Sequence, residues 1–327
     1  MRQMLGWLGV LALLGVWGCN GDGAQASFRD PDAFVSADSV QILDDLRILS
    51  HDSLEGRRTG TRGGALAREY IQGGFQTAGL HAPPGGVLQA FEFSGRQDST
   101  QVIRGANVVG FVEGTEPELG AIVLTAHFDH LGLRAPRAGG GGSREVDSIY
   151  NGADDNASGT ASVMAMARFF ARRPPRHTMV FAALDAEEMG LRGARAFVDA
   201  GWPEQIVLNV NLDMVARSDS LLFVAGTHHY PHLRPILESV QGREPVVLRF
   251  GHDRPDVEGV QDWTGLSDHR AFHARGIPFL YFGVEDHPDY HRPSDEFDRI
   301  EPVFFLNAIR TILSAVLTLD EALPGEA

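Results

Sequence analysis

Two kinds of apolar patterning divide the chain. Val35 to Leu49 and Gly64 to Ala78 carry apolar side chains at helical spacing, joined by the turn-rich stretch Leu54-Glu55-Gly56-Arg57-Arg58-Thr59-Gly60-Thr61. Beyond them, short β-branched runs alternate with longer helical ones. The runs that predict strands are Gln89 to Phe93, Asn107 to Glu113, Ala121 to Thr125, Thr178 to Leu184, Ile206 to Leu212, Leu221 to Ala225, Val246 to Arg249 and Pro278 to Phe282. Helices are expected at Gly159 to Arg172, Leu191 to Ala200, Pro231 to Gln241, Asp268 to Ala274 and Pro302 to Leu319. This alternation predicts the α/β class: a single domain with a mostly parallel, twisted mixed sheet of about eight strands, flanked by helices. In open sheets of that kind, ligands collect beyond the carboxyl ends of the strands.

The unusual residues fall at those ends. Ala121 to Thr125 runs into Ala126-His127-Phe128-Asp129, Thr178 to Leu184 into Asp185-Ala186-Glu187-Glu188, and Ile206 to Leu212 into Asp213. The stretch Asn151-Gly152-Ala153-Asp154-Asp155-Asn156-Ala157-Ser158-Gly159 sets two adjacent carboxylates among small residues, just before the apolar run Ala161 to Phe170. Carboxylates are costly to gather in a cramped turn unless a cation is present. The alternative is an acidic helix cap, with Asn, Asp and Ser bonding free backbone N–H groups. Acids and an imidazole recurring at strand ends favour a metal site, since surface polarity gives no reason for such regularity. A hydrolytic metal pair needs mixed nitrogen and oxygen ligands, a bridging carboxylate, an open water position and a free general base.

The motifs His127-x-Asp129, Gly152-Ala-Asp-Asp-Asn-Ala-Ser-Gly159, Glu187-Glu188-x-Gly190, Leu212-Asp213-Met214, Ser267-Asp268-His269 and Tyr290-His291 occur in this order. Together they resemble the M28 family of zinc aminopeptidases, from about Leu54 to the end of the chain. The resemblance implies a zinc aminopeptidase-like fold and two Zn²⁺ per chain. Asp155 would bridge the ions, with His127 and Asp213 completing one shell and Glu188 and His291 the other. Two divalent ions against three carboxylates and a bridging hydroxide sum to neutrality, which limits the penalty of burial. Glu187 would be the general base, separated from Glu188 because neighbouring side chains on an extended backbone project apart. Asp129 would orient His127, Ser267 would hold His291, and Tyr290 would face the developing oxyanion.

Other polar residues are expected to do structural work. Asp154 and Asn156 shape the turn, Asp185 bonds at a strand end, and Arg57 and Arg58 cap or pair; Asp268 and His269 are left open between the site and a structural role, helix capping being one reading for Asp268. His130, His228, His229, His252 and His287 are expected in loops or at the surface, outside the ligand set. The run Gly139 to Gly142 lacks the Lys-Ser/Thr of a phosphate loop and is expected to be a surface loop. The connection from Gly251 to Leu266, with His252 and Trp263, is expected near the site mouth.

A net charge of −15 disfavours nucleic acid and anionic lipid surfaces, and suits a cationic ligand such as a metal or an amine. After Arg2, the apolar stretch Leu5 to Trp17 is too short to span a bilayer and has the form of a secretory h-region. Val16-Trp17-Gly18 before Cys19 resembles the lipobox of bacterial lipoproteins; a plain secretory signal is the alternative. The expected organisation is a signal peptide over 1–18, a tether over 19–33 and an M28-like peptidase domain over 34–327, with 327 − 18 = 309 residues after the signal. Export to the cell envelope follows, on the periplasmic or extracellular face, with membrane attachment only through lipid on Cys19. As the one cysteine, Cys19 leaves no intramolecular disulfide, so stability must come from packing and bound metal. The expected function is an aminopeptidase acting on peptides with a free N-terminus. A glutaminyl cyclase-like transferase and a non-catalytic binding relative are the alternatives.

Overall fold

The computed structural model describes residues 30–95, 100–134 and 147–324. The signal segment, Cys19, most of the tether and the glycine run 139–142 lie outside the described residues. Helix α1 (Pro31–Leu49) starts at Asp30, whose carboxylate accepts the Ala33 N–H at 3.0 Å, with proline in the first turn. Residues 31–33, expected in the tether, are therefore the first turn of α1. Helix α2 (Arg62–Ala78) is capped by the Thr61 hydroxyl and ends at left-handed Gly79.

The strands are β1 (Leu88–Ser94), β2 (Val102–Val112), β3 (Ala121–His127), β4 (Gly132–Leu133), β5 (Ile149–Tyr150), β6 (Thr178–Leu184), β7 (Ile206–Leu212), β8 (Leu221–Ala225), β9 (Val247–Phe250) and β10 (Phe279–Gly283). The short pair β4 and β5 stands apart. The others form an eight-stranded sheet in the order β1-β2-β6-β3-β7-β10-β8-β9. The centre, β6-β3-β7-β10, is parallel, while β1, β2 and β8 join antiparallel. The mixed, mostly parallel sheet expected from the patterning is what the chain forms.

The remaining helices are α3 (Gly159–Arg172), α4 (Arg192–Asp199), α5 (Arg234–Glu238), α6 (His269–His273) and α7 (Pro302–Ala322). Strand alternation sorts the core into two layers. Met179, Phe181 and Ala183 of β6 join the side packed by α1, α2, α3, α5 and α7, whereas Val180, Ala182 and Leu184 face α4 and α6. Helix α7 is long and apolar enough to cross a membrane, yet Phe305, Ile309, Ile312 and Val316 are fully buried in the domain core.

Two elements differ from expectation. Strand β2 begins at Val102 because its first residues pair only with β1 at the sheet edge, where Arg104 faces Glu92. That stretch has little buried face and so no apolar run. The helix expected over 231–241 is broken into a 3₁₀ turn (Pro231–Leu233) and the short α5, with Pro235 restarting the helix in its first turn.

Phe305 of α7 is fully buried and distant in sequence from every strand-end motif. Truncation to alanine is expected to cost about 3–5 kcal/mol. Urea unfolding should show a lowered midpoint at unchanged slope.

Candidate metal centre

Because the central strands run parallel, their carboxyl ends lie on one edge of the sheet. The register sets His127 beside Leu184 and Phe282 beside Leu212, so the residues that follow each strand emerge together. His127 Nε2 lies 3.4 Å from Asp155 Oδ1 and 3.4 Å from Asp213 Oδ1. On the other side of the same carboxylate, His291 Nε2 is 3.1 Å from Asp155 Oδ2 and 3.3 Å from Glu188 Oε1. All five expected ligand positions thus converge, and Asp155 turns one oxygen to each group.

His130 is part of this cluster too. Expected in a loop or at the surface, it does follow β3, but it is 1% exposed and its Nδ1 is 2.9 Å from Glu188 Oε1. The signal for it was its place three residues past His127 at a strand end.

The loops that carry these groups are held by specific bonds. The Asp295 carboxylate accepts the backbone N–H of both Asp154 and Asp155 at 3.1 Å, tying the Asp155 turn to the loop that carries His291. Asn156 donates to the Leu212 carbonyl and accepts from Gly159 and Met214, while Asp154 turns away to accept the Ala216 N–H. Asp185 accepts from Thr59 and the Ala106 N–H at the end of β6. Beneath them Arg57 is fully buried and donates to the carbonyls of Leu49, Phe128, Asn151 and Gly152 at 2.5–2.9 Å. It caps backbone, and sequence reasoning left its burial unseen.

Left-handed backbone sits beside or at three of the groups: Ala186 (φ 63°) before Glu187, Met214 (φ 59°) after Asp213, and His291 itself (φ 54°). Each costs roughly 1–2 kcal/mol for a residue with a side chain. The kink at Ala186, followed by a turn rather than extended chain, separates the two glutamates. Glu188 faces His130 and His291, while Glu187 is set among His127, Asp268 and Asp213.

Other expected partners are corrected. His127 Nδ1 meets the Asp129 carbonyl oxygen at 3.1 Å, and the Asp129 carboxylate, 3.8 Å from that nitrogen, instead accepts the Glu187 N–H at 2.9 Å. Ser267 accepts from Asn211 and faces Asp213, not His291. Asp268 does not cap α6: its backbone is helical rather than extended, as a cap requires, and both carboxylate oxygens are buried without a partner. Tyr290 stacks on His291 with ring centroids 3.9 Å apart. His252 and His287 lie in loops but are packed, His252 against Trp263 at 3.7 Å and His287 beside Asp154 at 3.3 Å. His228 and His229 follow β8 in a loop, as expected.

Crowding shows in the acidities. Burial pushes the Glu187 carboxyl well above the usual carboxylate range, and the charges of Asp268, Asp213 and Glu188 add to it despite His127. Burial pushes Asp268 up to about 7, with Asp213 adding to it. Burial disfavours charge on His291, but the carboxylates of Asp155 and Glu188, 3.1 and 3.3 Å away, outweigh it and raise the imidazole to about 10. Burial works against Glu188 as well, yet His130 and His291 hold its carboxyl below the ordinary range. The buried atoms Asp155 Oδ2, Glu188 Oε1 and His130 Nδ1 have no hydrogen-bond partner. Orphaned donors of mixed nitrogen and oxygen type, converging within 4.8 Å, fit a divalent transition metal.

The cluster floors a cavity of about 500 Å³ with Met214, Trp263, Leu266 and Tyr281 on its walls. A neighbouring cavity of about 620 Å³ is lined by the 251–261 connection, and Gln261, Trp263 and Asp286 border both. The connection expected near the mouth is there.

The fold is shared with solved bacterial enzymes. An aminopeptidase from Aneurinibacillus sp. strain AM-1 superposes with a TM-score of 0.68 at 18% identity, covering 92% of this chain and 96% of that one. A glutaminyl cyclase from Bacteroides thetaiotaomicron gives 0.69 at 16% identity, covering 86% and 97%. In sequence, the chain is 25% identical over 235 residues to a vacuolar membrane protease of Candida albicans, an alignment taking in 66% of this chain and 24% of that protein. The chain thus spans about a quarter of the length of such relatives. The model of peptidase family M28 matches residues 107–316, a span that holds every group of the cluster from His127 to His291. On that match the chain belongs to the M28 metallopeptidases.

Proposed function

We propose that this protein is a zinc-dependent aminopeptidase that removes N-terminal residues from peptides, with two Zn²⁺ per chain. The observation that carries the reading is Asp155 offering one oxygen to His127 and Asp213 and the other to Glu188 and His291, with Glu187 left outside both groups. Bound there, Zn²⁺ supplies Lewis acidity for the scissile carbonyl and lowers the pKa of water toward ~7.

This chain's own residues would do the rest. Glu187, its backbone held by Asp129, takes the proton of the attacking water and passes it to the departing amine. Burial raises its pKa and the charges of Asp268, Asp213 and Glu188 add to it, so positive charge held by those acids would act to lower it toward the working range of a base. The surplus of carboxylates favours the positive α-amine of a peptide over an acylated one. Tyr290, its ring fixed against His291, lines the cavity and is the hydroxyl offered to the carbonyl oxygen as negative charge develops. The basic start, apolar run and Cys19 support export and lipid attachment.

A cyclase that closes N-terminal glutamine is the second reading, favoured by the equally high superposition on the Bacteroides enzyme. The doubled set of metal donors supports the peptidase.

Glu187→Gln is expected to keep its metal content and melting behaviour and to lose roughly 10²- to 10⁴-fold in turnover; near-normal turnover removes Glu187 as the base. On a panel of aminoacyl and N-acetyl-aminoacyl amides, acetylation should lower kcat/KM by roughly 10- to 10²-fold. Equal rates would dismiss amine recognition, and pyroglutamate from glutaminyl peptides in place of hydrolysis would select the cyclase. Cys19→Ser should move the protein from the membrane fraction to the soluble exported fraction; unchanged fractionation would rule out the lipid.

A further inference from the structure

We propose that His130 is a sixth protein ligand of the metal centre, coordinating through Nδ1 at the position formed by Asp155 Oδ2, Glu188 Oε1 and His291 Nε2. The proposal rests on the two-metal reading above and adds to it an inequality between the two positions.

His130 Nδ1 is 2.9 Å from Glu188 Oε1 and 3.7 Å from Asp155 Oδ2, close enough to the first for a hydrogen bond, yet none of the three atoms has a bonded partner. Three buried nitrogen and oxygen donors this close, none with a regular hydrogen bond, can be satisfied together by one shared cation. Donors held about 2.0–2.2 Å from one ion in a tetrahedral shell lie roughly 3–3.5 Å apart, the spacing seen here. His291 Nε2, 3.1 and 3.3 Å from the same two oxygens, completes that shell.

Burial supports the same conclusion. The His130 side chain is wholly enclosed, and both ring nitrogens are without a partner. An idle imidazole there would bury two unsatisfied polar atoms, at about 1–3 kcal/mol each, and coordination removes one of them. Room for the ring is made by Gly152: a Cβ there would meet His130 Cδ2 and Cγ at 2.6 Å.

The consequence is a division of labour. Asp155, Glu188, His291 and His130 give one ion four protein donors, the closed shell of a structural site, while His127, Asp155 and Asp213 give the other only three and leave a position open. Glu187 lines the same cavity as His127 and Asp213 and feels the charges of His127, Asp268, Asp213 and Glu188. An ion held by His127, Asp155 and Asp213 would keep the open position at which water could be activated, and one held with His130 would chiefly fix Asp155 and Glu188 in place.

Protein labelled with [¹⁵N]histidine and loaded with ¹¹³Cd²⁺ tests this directly, since only coordinated nitrogens are split by the metal. The expected result is splitting at His127 Nε2, His291 Nε2 and His130 Nδ1, with two Cd²⁺ bound. Two ions with splitting at His127 and His291 alone would overturn the proposal and leave the two-metal reading standing. A single ion would sink that reading, and the state of His130 Nδ1 would still decide this one. In a folded His130→Asn variant, competition with a chelator should show the tighter site weakened at least ~10-fold and the other little changed; equal weakening of both, or of neither, counts against it.

Discussion

Negative charge crowded around Asp155 is the constraint on which the rest of the structure depends. Asp155, Glu187, Glu188, Asp213 and Asp268 meet at one end of the sheet, largely removed from water, and each raises the cost of ionising another. From below, Arg57 supplies a permanent cation. Burial lowers its pKa to about 10 even though Asp155, Asp295, Asp129 and Glu188 all act to raise it. Its donors are spent on carbonyls, so it fixes the position of the loops while leaving the carboxylate oxygens unpaired. The acids remain in want of positive charge on their open side, where a divalent ion fits.

The geometry is bought with backbone strain and secured by cross-links between loops. Left-handed residues at Ala186, Met214 and His291 turn the chain where the sheet alone would carry side chains past one another. Asp295 and Asn156 then bind the Asp155 turn to its neighbours. The same fold is found in a solved aminopeptidase and in a solved glutaminyl cyclase, so the fold by itself does not select the chemistry.

Much of this was legible in the sequence, for identifiable reasons. The central strands declared themselves because each is buried on both faces; His127, Glu188 and Asp213 stood out as polar residues ending apolar runs, whereas Asp155 and His291 entered through the motifs that resemble the M28 family. His130 was passed over because loop histidines are common and sequence does not say which are enclosed. Asp129 and Ser267 lie in the centre as expected, but the atoms they use depend on loop paths: a carbonyl rather than a carboxylate reaches His127, and Asn211 and Asp213 rather than His291 are the neighbours of Ser267. The edge stretch of β2 and the broken helix at α5 escaped because one has little buried face and the other depends on a single proline.

The centre draws its groups from positions 127 to 291, one loop from each of several strands that are adjacent in space and remote along the chain. No short segment holds it, and the loop bearing His291 follows β10, which pairs with β7 deep in the sheet. Such long-range pairing is slow to form. A centre built in this way is a property of the assembled sheet and not of any one local segment.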